Sequence, residues 1–137
     1  MFEKILLGVD GSDESKRAMH VAMELARLSH GEVLVVHVHQ KELTSRDTVD
    51  IEPRYEAEQL TDATLDVIGK AGIKARSELR VSGFMGVPKE ILDAAGHFGA
   101  DVIVLGSRGL GDWSGLMLGS VTHRVIHYAK CPVLVVR

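Results

Sequence analysis

The chain has 137 residues, 45% hydrophobic and 26% charged, a size and composition that fit one domain with its own core and exclude a disordered segment. The formal net charge is −3, and the 16 Lys and Arg residues form no cluster, which argues against a nucleic-acid surface. No apolar run reaches the ~18 residues of a membrane span, and the opening Met1-Phe2-Glu3-Lys4 leads to no small-residue cleavage site, so a cytoplasmic, membrane-free protein is expected. The single Cys131 beside an apolar run reads as a buried, reduced thiol.

In chain order, residues 4–9 (Lys-Ile-Leu-Leu-Gly-Val) read as a buried strand. Ser12 is placed to cap the helix that follows, with Asp13 and Glu14 in its first turn. Ala18, Val21, Ala22, Leu25 and Ala26 recur on one face of that helix, and Gly31 is expected to end it in the left-handed conformation. Residues 33–38 (Val-Leu-Val-Val-His-Val) are apolar on both faces, as a central parallel strand requires. The polar stretch from Gln40 to Asp50 reads as a surface loop, the most mobile part of the chain.

Leu60, Ala63, Thr64, Val67, Ile68 and Ala71 mark a second helix closed by Gly72. Residues 73–81 alternate like a half-exposed strand near an edge. Pro88 suits the first turn of a third helix facing inward through Ile91, Leu92 and Ala95. Residues 101–105 form a fourth strand, and Val121, Thr122, Val125, Ile126 and Ala129 form the inner face of a last helix. Pro132 to Val136 closes the chain as a fifth strand. Four β-α units plus a strand give an α/β, doubly wound parallel sheet with helices on both faces and one domain over residues 1–137. Ligands of such folds bind beyond the carboxyl ends of the strands, which draws attention to Asp10, Val38, Ser82 to Gly86, and Gly106 onward.

Five of the 14 glycines lie between Gly106 and Gly119. Glycine lets backbone N–H groups converge on an anion, and Gly119-Ser120 opens a helix whose free N–H groups and dipole favour phosphate. Ser120 adds a hydroxyl and Arg108 a charge. The same residues also fit a long loop with Ser120 as an ordinary cap. There is no P-loop, and the order Gly106-x-x-Gly109-x-Gly111 reverses the dinucleotide fingerprint.

The run Gly106-x2-Gly109-x9-Gly119-Ser120 resembles the ATP-binding signature of the universal stress protein family. Lys4 to Ser12, Ala100 to Gly109 and Cys131 to Val136 are similar to the opening strand, fourth strand with its loop, and terminal strand of that family. The resemblance spans the whole chain and implies a five-stranded sheet in the order 3-2-1-4-5, of the adenine nucleotide alpha hydrolase-like kind, with an ATP cleft above strands 1, 2 and 4. It places Asp10 and Val38 at the adenine end and Gly106 along ribose and phosphates. Gly109, Gly119, Ser120 and Val121 fall on the phosphates, with Arg108 beside them. Gly8 stands where some ATP-binding members carry proline.

ATP or another adenine nucleotide is the implied ligand, with Mg²⁺ held mainly by phosphates and water. The apolar strand Val133–Val136 would lie at a sheet edge, and the resemblance implies a homodimer through it, besides an unidentified protein partner. Asp10 has a turn role as its plain alternative. His123 and His127 are four apart on one helix but lack a third ligand; His37 and His39 share a face of the second strand near the expected cleft, where a structural role is expected and ligand contact is the alternative. No acid–base or nucleophile set is recognisable, so any ATP hydrolysis is expected to be slow. A regulatory ATP-binding protein of the stress response is the leading function. A low-turnover ATP-hydrolysing or nucleotidyl-transfer enzyme, and a dimeric interaction module without nucleotide, remain alternatives.

Overall fold

The structure, a computed structural model, describes residues 1–43, 48–50, 53–82, 86–108 and 118–137. Its elements run β1 (Lys4–Gly8), α1 (Asp13–Ser29), β2 (Glu32–His39), β3 (Lys41–Leu43), β4 (Thr48–Asp50), α2 (Arg54–Lys70), β5 (Lys74–Val81), α3 (Gly86–Phe98), β6 (Val102–Gly106), α4 (Ser120–Tyr128) and β7 (Val133–Val136). Five strands form one parallel sheet in the order β5-β2-β1-β6-β7. Counting only these five, the order is 3-2-1-4-5.

The sheet is apolar on both sides because each face is covered by helices. Ile5, Leu7, Val33, Val35, Val102 and Val104 pack with Ala18, Ala22 and Ala26 of α1 and Ile68 of α2. On the opposite face Leu6, Leu34, Val36 and Ile103 meet Ile91, Ala94 and Phe98 of α3 and Val125 of α4. Alternate residues of each strand thus feed two cores, which explains why the central strands read as unbroken apolar runs.

The helical stripes turn out narrower than their sequence periodicity suggests. The buried residues of α2 are Ala57, Thr61, Thr64 and Ile68, while Val67 is exposed. Ile126 of α4 also faces outward, and the inner residues of that helix are Thr122 and Val125. Gln40 to Asp50, expected to be loop throughout, contains the antiparallel pair β3–β4 with Lys41 opposite Asp50 and Leu43 opposite Thr48. Cys131 is half-buried rather than buried; burial, reinforced by the Asp101 charge, pushes its thiol above the ordinary range.

Gly31 does not adopt the left-handed conformation expected of it. That role falls to His30, at φ 54°, whose N–H closes the helix on Ala26 O. Gly31 is required for a different reason, namely close approach. An added Cβ would stand 2.5 Å from Glu3 O and 2.8 Å from Glu3 Cα, where the neighbouring Glu32 N–H donates to Glu3 O at 2.7 Å. Overpacking against backbone costs about 1–3 kcal/mol. Gly31→Ala is therefore expected to lower unfolding free energy by that amount, measured by urea denaturation; an unchanged midpoint would show that the β1–β2 entry tolerates the methyl group. The Cys131 thiol is expected to alkylate with a pH–rate midpoint above that of free cysteine, because only thiolate reacts; iodoacetamide kinetics between pH 7 and 10 measure it.

Candidate functional site

The chain runs from β1 through α1 toward β2, and later from β6 through α4 toward β7. The connections after β1 and β6 therefore diverge, and a crevice opens between them at the carboxyl end of the sheet. A cavity of about 570 Å³ occupies this place. Its volume falls within the range of small-molecule sites.

One part of the wall is apolar. Val36 and Val38 come from β2, Leu105 from β6, and Val87, Pro88 and Ile91 from the start of α3. Pro88 carries no N–H, so this stretch of α3 offers surface rather than donors. Another part is polar and cationic, made by Gly106, Arg108, Gly119, Ser120, Thr122 and Arg124. Asp10 and Ser15 contribute polar groups from the β1–α1 connection.

Two of the helices that start at this crevice, α1 and α4, differ at their N-termini. Ser12 Oγ accepts the Ser15 N–H at 3.1 Å, so α1 is capped by its own chain, and Asp13 and Glu14 already answer its dipole. Gly11, at φ 84°, makes the turn, and Asp10 Oδ1 accepts the Ser12 N–H at 2.9 Å. In contrast, α4 begins at Gly119 with no capping side chain and no acid in its first turn. The first N–H groups of a helix have no partner within it, so the α4 end presents donors and a positive dipole to the cavity.

Position at this end is set by backbone contacts around Gly106. Thr122 Oγ1 donates to Gly106 O at 2.8 Å, and Gly119 N–H donates to Ser107 O at 2.7 Å. Ser107 N–H in turn donates to Val136 O at 2.7 Å. A Cβ on Gly106 would stand 2.8 Å from Glu14 Cβ and 3.0 Å from both Glu14 C and Ser15 N, so only glycine admits α1 this close to β6.

Asp10, Val38, Gly106, Arg108, Gly119, Ser120 and Val121, singled out from the sequence, all line this one cavity. Gly109 lies outside the described residues. Asp10 also fills the turn role that was its plain alternative. Arg108 Nη2 donates to Glu14 Oε1 at 3.3 Å while lining the cavity. Sequence reasoning missed Gln40, the α3 wall and Arg124. Only the Ser120/Arg124 spacing of four carried a signal, since such residues share a helix face. Gly8, the departure noted in the opening strand, also lines the cavity, with Leu105 Cδ2 where its Cβ would be.

Of the histidines, only His37 lines the cavity among the described residues. His37 is buried, with Nδ1 2.7 Å from Val9 O; a carbonyl only accepts, so Nδ1 carries the proton. His39 is buried as well. His123 and His127 are exposed on α4, and His127 packs edge-on against Tyr128 at 4.7 Å. Among the described residues no group of three His, Cys, Asp or Glu side chains is arranged to hold a metal. None of the described helices is long and apolar enough to cross a membrane.

The model of the Universal stress protein family matches residues 1–137. A universal stress protein of Thermus aquaticus, from the QAH/OAS sulfhydrylase 3′ region, is 37% identical over the full length of both chains. Universal stress protein YxiE of Bacillus subtilis is 34% identical, again over all of both. The solved universal stress protein of Archaeoglobus fulgidus in complex with dAMP superposes with a TM-score of 0.76 at 28% identity, covering all of both chains. With the family model matched from end to end and full-length relatives at 34% and 37% identity, this chain belongs to the universal stress protein family.

Proposed function

We propose that residues 1–137 act as a single universal stress protein domain whose cleft binds an adenine nucleotide, ATP with Mg²⁺, in a regulatory homodimer of the cytoplasmic stress response. The observation that carries this reading is the uncapped, acid-free start of α4 opening into a cavity whose other wall is apolar. An adenine nucleotide has the same division, a flat weakly polar base at one end and anionic phosphates at the other. The dAMP held by the Archaeoglobus relative supports the ligand class.

In this reading Val38, with Val87, Pro88 and Ile91, receives the base. Asp10 turns toward base or ribose; a carboxylate has about four lone-pair sites, so bonding Ser12 N–H leaves the second role open. Gly106 runs along ribose and phosphates, and Arg108, Gly109, Gly119, Ser120 and Val121 surround the phosphates. A bound Mg²⁺ takes its ligands mainly from phosphate oxygens and water. The function is to hold and sense the nucleotide.

The two sheet edges support the homodimer. On β5 the exposed side bears Lys74, Arg76, Glu78 and Arg80, with Arg80 paired to Glu78 and Glu90 at 3.1 and 3.0 Å. Charges of this kind discourage strand addition. On β7 the sequence is Val-Leu-Val-Val, with Leu134 38% exposed. Pro132 O and Val136 O both accept from the β6 side, so Val133 and Val135 direct their N–H and C=O groups outward along the edge.

Calorimetry with Mg-ATP is expected to show one site per chain, and mass spectrometry of denatured protein to find an adenine nucleotide. Gly119→Val is expected to abolish binding while folding normally, because φ −59° and ψ 151° suit any residue and the added bulk enters the phosphate position. Unchanged ATP affinity in that variant would place the phosphates elsewhere. For the edge, light scattering at micromolar concentration is expected to give a dimer, and Val135→Pro, which removes an outward N–H, a monomer. A wild-type monomer sinks the dimer and leaves the nucleotide reading standing.

A further inference from the structure

The polar wall of the cleft holds two guanidinium groups, and their surroundings differ. Arg108 donates to Glu14 Oε1 at 3.3 Å, and Arg17 approaches the same oxygen at 3.4 Å. Glu14 is only 16% exposed and stands between them, so much of the Arg108 charge is balanced within the protein. Arg124 lines the same cavity and makes no ion pair or hydrogen bond among the described residues. The segment Ser120–Tyr128 contains no carboxylate that could balance it.

Its position on α4 gives this charge a direction. Arg124 follows Ser120 by four residues, which sets the two side chains on one face. Helical side chains lean toward the N-terminus, so the Arg124 stem runs back along the turn that presents the free N–H groups. Asp10 is the one acid among the described residues of the wall, and it comes from the β1 connection rather than from α4.

Resting on the nucleotide reading above, we infer that Arg124 sets the number of phosphates the cleft prefers, by engaging the outer phosphates of an adenosine di- or triphosphate. The field of a helix end acts within its first turn. A first phosphate held there is served by backbone N–H groups, whereas each further phosphate extends beyond their reach. A long, planar, permanently charged side chain anchored one turn deeper supplies the bidentate donors those oxygens need. Arg108, held by Glu14, stays a fixed part of the wall.

The test measures Kd for AMP, ADP and ATP by calorimetry in excess Mg²⁺ on the wild type, Arg124→Gln and Arg124→Lys. The wild type is expected to bind ATP more tightly than AMP. Arg124→Gln is expected to weaken ATP about tenfold and AMP by less than about twofold, the size of one charged hydrogen bond at a partly exposed site. Arg124→Lys keeps the charge and is expected to recover part of the loss. Equal weakening of AMP and ATP, or unchanged ATP affinity, overturns the assignment. A wild-type chain that binds none of the three overturns the nucleotide reading itself, and needs no variant to be seen.

Discussion

At Gly106 four elements meet. The last residue of β6, it lies opposite Val136 of β7 in the parallel register. Its carbonyl accepts the Thr122 hydroxyl that anchors α4, and its Cα faces the Glu14–Ser15 backbone of α1 so closely that one methyl group would force the helix away. The relative position of α1 and α4, and with it the shape of the crevice between them, depends on this approach. A larger residue would displace α1 from β6 and widen the crevice at its narrowest point. Glycine is therefore needed here for proximity, independently of any contact with a ligand.

That proximity also arranges the charges. Because α1 sits against Gly106, its acidic first turn reaches the polar end of the cleft, where Glu14 is held by Arg17 and Arg108. A carboxylate left bare at this place would repel any phosphate. Paired on both sides, it serves to fix Arg108 in the wall instead. The acid-free start of α4 then provides the positive end of the site, and the capped start of α1 does not compete for an anion. The asymmetry between two helix ends in one crevice, more than glycine content, gives the site its polarity.

How much of this was legible in the sequence varies by element. Four of the five sheet strands were visible as short apolar runs, and β5 by the alternation of a half-exposed strand. The strand order came from the family resemblance, since apolar runs carry no information about which neighbour each strand pairs with. The short strands Lys41–Leu43 and Thr48–Asp50 were hidden, as three residues with a single apolar side chain are too few to show a pattern. Gly31 was correctly marked as special but for the wrong cause, because sequence shows a missing side chain without showing what stands in its place. Arg124 was not singled out from the sequence. Its significance depends on a cavity that β1, β2, α3 and β6 build from residues up to 116 positions away in the chain, between Gly8 and Arg124.

The cleft and the C-terminal edge form one hydrogen-bonded unit. Gly119 N–H is bonded to Ser107 O, and Ser107 N–H to Val136 O. Arg17, which shares Glu14 with Arg108, donates through Nε to Arg137 O at 2.8 Å. Two short paths thus lead from the polar end of the cleft to Val136 and Arg137, one through the backbone and one through side chains. A shift of Gly119 or Arg108 changes the geometry of Val136 and Arg137 unless bonds are broken, and a second copy paired along β7 would hold those residues in place. Under the proposed function, nucleotide occupancy and edge pairing would bias the same few hydrogen bonds, and any coupling between them would be reciprocal by thermodynamic necessity. A sensor of the proposed kind would need no catalytic residue to transmit its state, because the groups proposed to hold the ligand are bonded to the end of the strand proposed to meet the partner.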